Sequence, residues 1–160
     1  MFIRLGLAGV LLAVSALAGG MDTRLADAVQ QGNGDTVRAL LKQKVDVNAA
    51  QGDGMTALHW AASLDDVATA RLLLAAGANV DARTRMGAVS PLFMAARNGS
   101  APMIEMLLKA GASATQADAT GTTPLMVLAG SGSTDAIKVL AEHGANVNAL
   151  ENAHGQTALM

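Results

Sequence analysis

Three histidines, a scatter of serines and one glycine-serine run are the residues of this 160-residue chain that could do chemistry. His59, His143 and His154 have no His-Glu or His-x-His spacing around them, so the paired donors of a zinc site are missing. His143 stands one residue before Gly144, where a cation would complement the negative end of a helix, and His154 falls in a loop. No Gly-x-Ser-x-Gly turn surrounds any serine, and Ser90, Ser100 and Ser133 each sit where a helix would begin. Gly130-Ser131-Gly132-Ser133 has the glycines of a phosphate-cradling loop but lacks its Lys-Ser/Thr ending. There is no cysteine, hence no thiolate nucleophile, disulfide, thiolate metal site or acceptor for a bacterial lipid anchor. Asn98-Gly99-Ser100 is a formal glycosylation sequon. No catalytic, cofactor or metal site is assigned on these residues.

The elements that would position any of them follow from composition and period. Apolar residues make up 51% of the chain and aromatics only 2%, so Ala, Leu, Val and Met must do the packing, with small, closely approaching surfaces. Eleven basic and 13 acidic residues are spread along the chain for a formal charge of −2, and no polybasic block exists to attract a phosphate backbone. Nucleic acid is therefore not expected as a partner. Of the nine methionines, Met103 and Met106 fall at helical spacing with Leu107 and are assigned to the core, whereas Met55 and Met86 fall in loops and are surface candidates.

Ser/Thr residues that precede a Leu two positions on recur at Thr23, Thr56, Ser90, Thr123 and Thr157, with spacings of 33, 34, 33 and 34. A second column, Lys44, Gly77, Gly111 and Gly144, marks a helix exit, and a third, Asn33, Asp66, Ser100 and Ser133, consists of N-cap residues. Three columns with one period predict stacked units of two short helices each. The first helix opens at the Ser/Thr cap, with Pro91 or Pro124 at its first position, where the missing N–H costs nothing. The second opens at the Asn/Asp/Ser cap and carries apolar residues at three-four spacing, as in Val67, Ala70, Leu73 and Leu74.

Segments such as Thr56-Ala57-Leu58-His59-Trp60-Ala61-Ala62, Ser90-Pro91-Leu92-Phe93-Met94-Ala95-Ala96 and Gly77-Ala78-Asn79-Val80-Asp81-Ala82 resemble the ankyrin repeat. The resemblance covers the chain from about Met21 to Met160 and implies an all-α solenoid of helix-turn-helix units with hairpin-like loops. It divides a domain at 19–160 into units at about 22–54, 55–88, 89–121 and 122–155, with a truncated fifth at 156–160. It also implies that His59 hydrogen-bonds within its own loop, and that Trp60 is partly buried between units. Thr23-Arg24-Leu25-Ala26-Asp27 departs from the usual opening in the manner of a terminal cap; Lys44 replaces the exit glycine; Ala114, Thr115 and Gln116 depart from the usual loop. The two longer spacings put one additional residue between Ala82 and Ser90 and another between Ala149 and Thr157. The incomplete fifth unit gives the expectation that the chain is part of a longer protein.

Met1 to Gly20 reads as a leader: Arg4, an uncharged run of about 16 residues, short of the roughly 20 that span a bilayer, and Ala16-Leu17-Ala18 as a small-x-small site. Cleavage after Ala18 would give a periplasmic or secreted chain without a stable membrane anchor, carrying 10 basic and 13 acidic residues, or −3.

In the ankyrin family partners usually meet the loop tips and the exposed face of the first helices. Carried over by position, the resemblance implies partner-binding residues Gln51, Asp53, Met55, Arg83, Arg85, Met86, Asp118, Thr120, Asn152 and His154 at the tips, and Ser63, Leu64, Arg97, Asn98 and Ser131 on the helices. Arg83, Arg85 and Arg97 would form a basic patch. The expected function is a non-catalytic interaction module, monomeric, docking a protein or peptide. The alternative is the targeting or regulatory front of a longer exported enzyme.

Overall fold

Caps and glycines at a fixed interval cut the chain into helices too short to stand alone, and the computed structural model, which describes residues 22–160, shows what holds them. Among the described residues the helices are α1 (Arg24–Gln30), α2 (Gly34–Lys42), α3 (Ala57–Ser63), α4 (Val67–Ala75), α5 (Pro91–Asn98), α6 (Ala101–Lys109), α7 (Pro124–Ser131) and α8 (Thr134–Glu142). Each has only 7 to 9 residues, below the length at which an isolated helix is stable in water, so tertiary packing must carry the fold. α1, α3, α5 and α7 stack on one another in a first layer, while α4, α6 and α8 stack behind them. The leader expected at residues 1–18 lies outside the described residues.

The core explains the alanines. Ala61, Ala62, Ala95 and Ala96 are fully buried on neighbouring first helices, in one core cluster with the buried Leu58, Leu92 and Leu128 of the first helices and Leu73, Leu107 and Leu140 of the second. Met103 is fully buried and Met106 packs against the core at its edge.

The caps divide into those that act and those that do not. Thr56, Ser90 and Thr123 accept from the amides of His59, Phe93 and Met126, and Asn33, Asp66 and Ser100 accept from Thr36, Thr69 and Met103. Two expected caps fail. Thr23 already has helical angles, φ −78 and ψ −3, so its side chain cannot reach back over the first turn; its hydroxyl donates to Asp27 Oδ2 at 3.0 Å instead. Ser133 donates across to the Gly99 carbonyl at 2.9 Å, which joins two units and leaves α8 without a side-chain cap.

Gly77, Gly111 and Gly144 leave their helices at φ 90, 97 and 82, and Lys44 is forced into the same left-handed region at φ 55. Each loop is then pinched by one backbone bond: Gln51 N–H to Met55 O at 2.8 Å, Thr84 to Val89 at 3.0 Å, Asp118 to Thr122 at 2.9 Å and Glu151 to Gln156 at 3.0 Å. The second and fourth pinches enclose one residue more than the others, which places both additional residues inside the turns. The third loop, despite its departures at 114–116, is closed by Asp118, whose Oδ1 accepts from the amides of Thr120 and Thr122 at 2.8 and 3.0 Å. Residues 156–160 form no helix, and Leu159 and Met160 are exposed.

Candidate protein-binding face

The loop tips are stitched to one another. Arg85 N–H donates to Asp53 O at 2.8 Å, Ala119 N–H to Gly87 O at 2.8 Å and Asn152 N–H to Thr120 O at 2.9 Å, one bond per junction between units. Side chains add to the seam. Arg85 Nη1 donates back to Gly52 O at 3.1 Å, whereas Arg83 donates through Nε to Ala88 O at 3.0 Å and through Nη2 forward to Ala117 O. The two arginines of the expected tip patch therefore reach opposite ways, each engaged with a neighbouring loop. Met86, the next residue after Arg85, is 78% exposed.

Asp53 is exposed and its Oδ1 accepts from Met55 N–H at 2.9 Å, a turn that folds the chain back under the tip. Met55 is consequently buried, 7% exposed, and its expected surface position is corrected: the turn carries it beneath the loop, where it floors a hollow. That hollow, about 390 Å³, is lined by Met55, Trp60, Ser63, Met94, Arg97 and Asn98. It brings together Met55, Ser63, Arg97 and Asn98 of the expected partner-binding residues. Leu64 is exposed beside Ser63. Asp118 and Thr120 belong to the third tip; Ser131 donates to Leu128 O at 2.8 Å on α7; His154 Nδ1 stands 3.5 Å from Glu151 Oε1 on the fourth loop. These, with Asn152, line no part of the hollow.

Its walls are held in place. Trp60 is partly buried, and its indole N–H donates to Gln51 Oε1 at 2.7 Å. Gln51 in turn donates to Asp27 Oδ1 at 2.6 Å and Gln30 Oε1 at 3.1 Å, and Asp27 accepts from the Thr23 hydroxyl. Asn98 donates to the carbonyls of Ala62 and Ser63 at 3.1 and 2.7 Å, satisfying the free end of α3. Ordered side chains of this kind reduce what a partner must immobilise on docking. Trp60, Met94 and Asp27 were not among the residues selected from sequence as binding positions, whereas Gln51 was expected at the first tip. The register held the signal, since Asp27, Trp60 and Met94 occupy one column, 33 and 34 residues apart.

His59 is architecture. Its Nδ1 accepts from Thr56 N–H at 3.2 Å, which requires Nε2 to carry the proton and donate to Val89 O at 3.0 Å. Burial holds its pKa below the ordinary value, against the opposing pull of the Val89 carbonyl. Among the described residues no group of three or more His, Asp or Glu could hold a metal ion, and no helix is long and apolar enough to cross a membrane.

A family model for ankyrin repeats in three copies matches residues 11–84 and 92–160. The chain belongs to the ankyrin-repeat family. Ankyrin repeats generally serve protein–protein interaction, and the family is typically non-catalytic. Among its relatives, the protein PhlB of Serratia liquefaciens is 42% identical over 101 residues, covering 63% of this chain and 44% of that protein. The palmitoyltransferase akr1 of Schizosaccharomyces pombe is 46% identical over 56 residues, 34% of this chain and 9% of that protein. The cyclin-dependent kinase 4 inhibitor B of Rattus norvegicus is 34% identical over 105 residues, 66% of this chain and 80% of that protein. This ankyrin chain thus spans less than half of PhlB and a small part of akr1.

Proposed function

We propose that the chain is a non-catalytic, monomeric docking module of an exported protein, and that its partner is a protein or peptide seated on the first-helix face. The observation that carries this reading is the hollow between α3 and α5, whose Trp60 is fastened by a hydrogen bond from its indole N–H to Gln51. A rigid surface that grows with each unit is suited to binding without chemistry. The rat relative's name makes it an inhibitor of another protein, which is the same class of task. Export rests on the leader read at residues 1–18, and an intact mass of the mature protein beginning near Gly19 is its test.

Affinity capture from the exported fraction tests docking. The full mature chain should retain a protein that the double variant Ser63→Arg, Leu64→Arg does not, because the first substitution crowds the lining of the hollow and the second the exposed surface beside it, outside the core. Equal retention by the two would refute docking on this face. The match to a palmitoyltransferase supports a second reading, in which such repeats front a longer exported enzyme. Sequencing the reading frame beyond residue 160 separates the two.

A further inference from the structure

The hollow between α3 and α5 has one chemical asymmetry that the docking proposal leaves unused. Its floor and wall are apolar, made by Met55, Met94 and Trp60, and its rim carries a single cation, Arg97. Among the described residues the ion pairs involve Arg24, Arg38, Lys109 and His154, and the arginine hydrogen bonds come from Arg24, Arg38, Arg83 and Arg85. The Arg97 guanidinium is exposed and pairs with none of the described residues. Two other donors of the lining are committed, the Asn98 amide N–H to Ala62 and Ser63 and the indole N–H to Gln51, while Ser63 adds a hydroxyl. What a ligand meets is a hollow of mixed polarity, with methionine and tryptophan surface beside five unspent guanidinium N–H donors.

We infer, resting on the docking reading above, that this hollow selects a partner segment in which an acidic side chain follows an apolar one, the apolar group entering between Trp60 and the two methionines and the carboxylate pairing with Arg97. Charge complementarity fixes the sign, because a fork of guanidinium donors matches a carboxylate, and a partner lysine there would be repelled. Methionine and tryptophan surfaces accept aliphatic and aromatic groups of several shapes, so specificity at the apolar position is broad. The occupant is a side chain within a continuous segment and not a chain terminus. Gly130 holds the place on α7 that Arg97 holds on α5, and a Cβ there would meet nothing within 4 Å, so a peptide can run on past the arginine.

The test uses acetylated, amidated nonapeptide pools with a central Leu-Glu, Leu-Gln or Leu-Lys pair and neutral random flanks, plus a neutral pool with a free terminal carboxylate. Each is passed over the immobilised full chain and titrated against the fluorescence of Trp60, the single tryptophan. Leu-Glu peptides are expected to bind roughly tenfold more tightly than Leu-Gln peptides and to perturb the tryptophan, as a charge-assisted bond would require. Arg97→Glu should invert the preference toward Leu-Lys. The Arg97 side chain makes no hydrogen bond or ion pair with the described residues, so the change costs only the small charge–dipole interaction of the last turn of α5 and the variant remains folded. Equal retention of the Glu and Gln pools, retention of neither, a Glu preference that survives Arg97→Glu, or stronger binding of the free-terminus pool would each overturn the inference. Capture of a partner that is indifferent to Arg97 but lost in the Ser63, Leu64 double variant would remove this inference and leave the docking module standing.

Discussion

A methyl group on Gly54 would lie 2.5 Å from the backbone nitrogen of Arg85, closer than any real contact, because the first unit's tip is bonded directly to the second's. Gly54 also holds φ 89, a region that costs a side chain in its own right. Backbone atoms cannot swing aside as a flexible side chain can. Gly54→Ala should therefore destabilise by about 2–4 kcal/mol, strain plus forced separation of the two loops. Gly77→Ala, at φ 90 but facing open space, should cost only about 1 kcal/mol. Urea unfolding of the two variants beside the parent checks the ordering, and equal losses would contradict the tip-to-tip approach.

Stability should fall on mild acidification through His59. Its folded pKa lies below the ordinary 6.5, so above that value the ring is neutral in both states and contributes no pH dependence. As pH falls below about 6.5 the unfolded chain takes up a proton that the folded ring resists, and stability is lost until the lower folded pKa is reached. Protonating Nδ1 would also turn a donor toward Thr56 N–H, which it now accepts from. Denaturation midpoints at pH 7.5 and 5 should differ in the parent and differ less in His59→Gln.

The uneven use of the cap column gives a paired test. Thr56→Ala removes a working cap and should cost about 1–2 kcal/mol, whereas Thr23→Ala removes none and should fall within about 0.5 kcal/mol of the parent. Thermal unfolding of both variants checks this.

That contrast marks how far the sequence could be read. The period and the alternation of helices were legible because caps, exit glycines and buried alanines are local demands repeated at 33 or 34 residues. Thr23 and Ser133 carry the right side chains, yet backbone angle in one and a carbonyl from the preceding unit in the other redirect them. Met55 misled for a similar reason. A loop position suggests exposure, but the turn at Asp53 and Gly54 tucks the next residue inward. The arginines of the expected patch are a matter of reach: Arg83 and Arg85 bond to residues 34 ahead and 33 behind, which no local pattern encodes.

Arg83 and Arg97 should consequently part company on mutation. Arg83→Ala gives up hydrogen bonds to two loop carbonyls and should cost about 1 kcal/mol of stability. Arg97→Ala gives up only a last-turn charge on α5 and should cost less than about 0.5 kcal/mol, acting chiefly on binding. Parallel urea titrations and binding measurements on the two variants test the division between seam and site.

The central claim, that partners dock on the first-helix face, is most directly tested by hydrogen exchange on the captured complex. The account predicts slowed exchange in α3, α5 and the tips at 51–55 and 83–88, with α4, α6 and α8 unchanged. Protection confined to α4, α6 and α8 would contradict it.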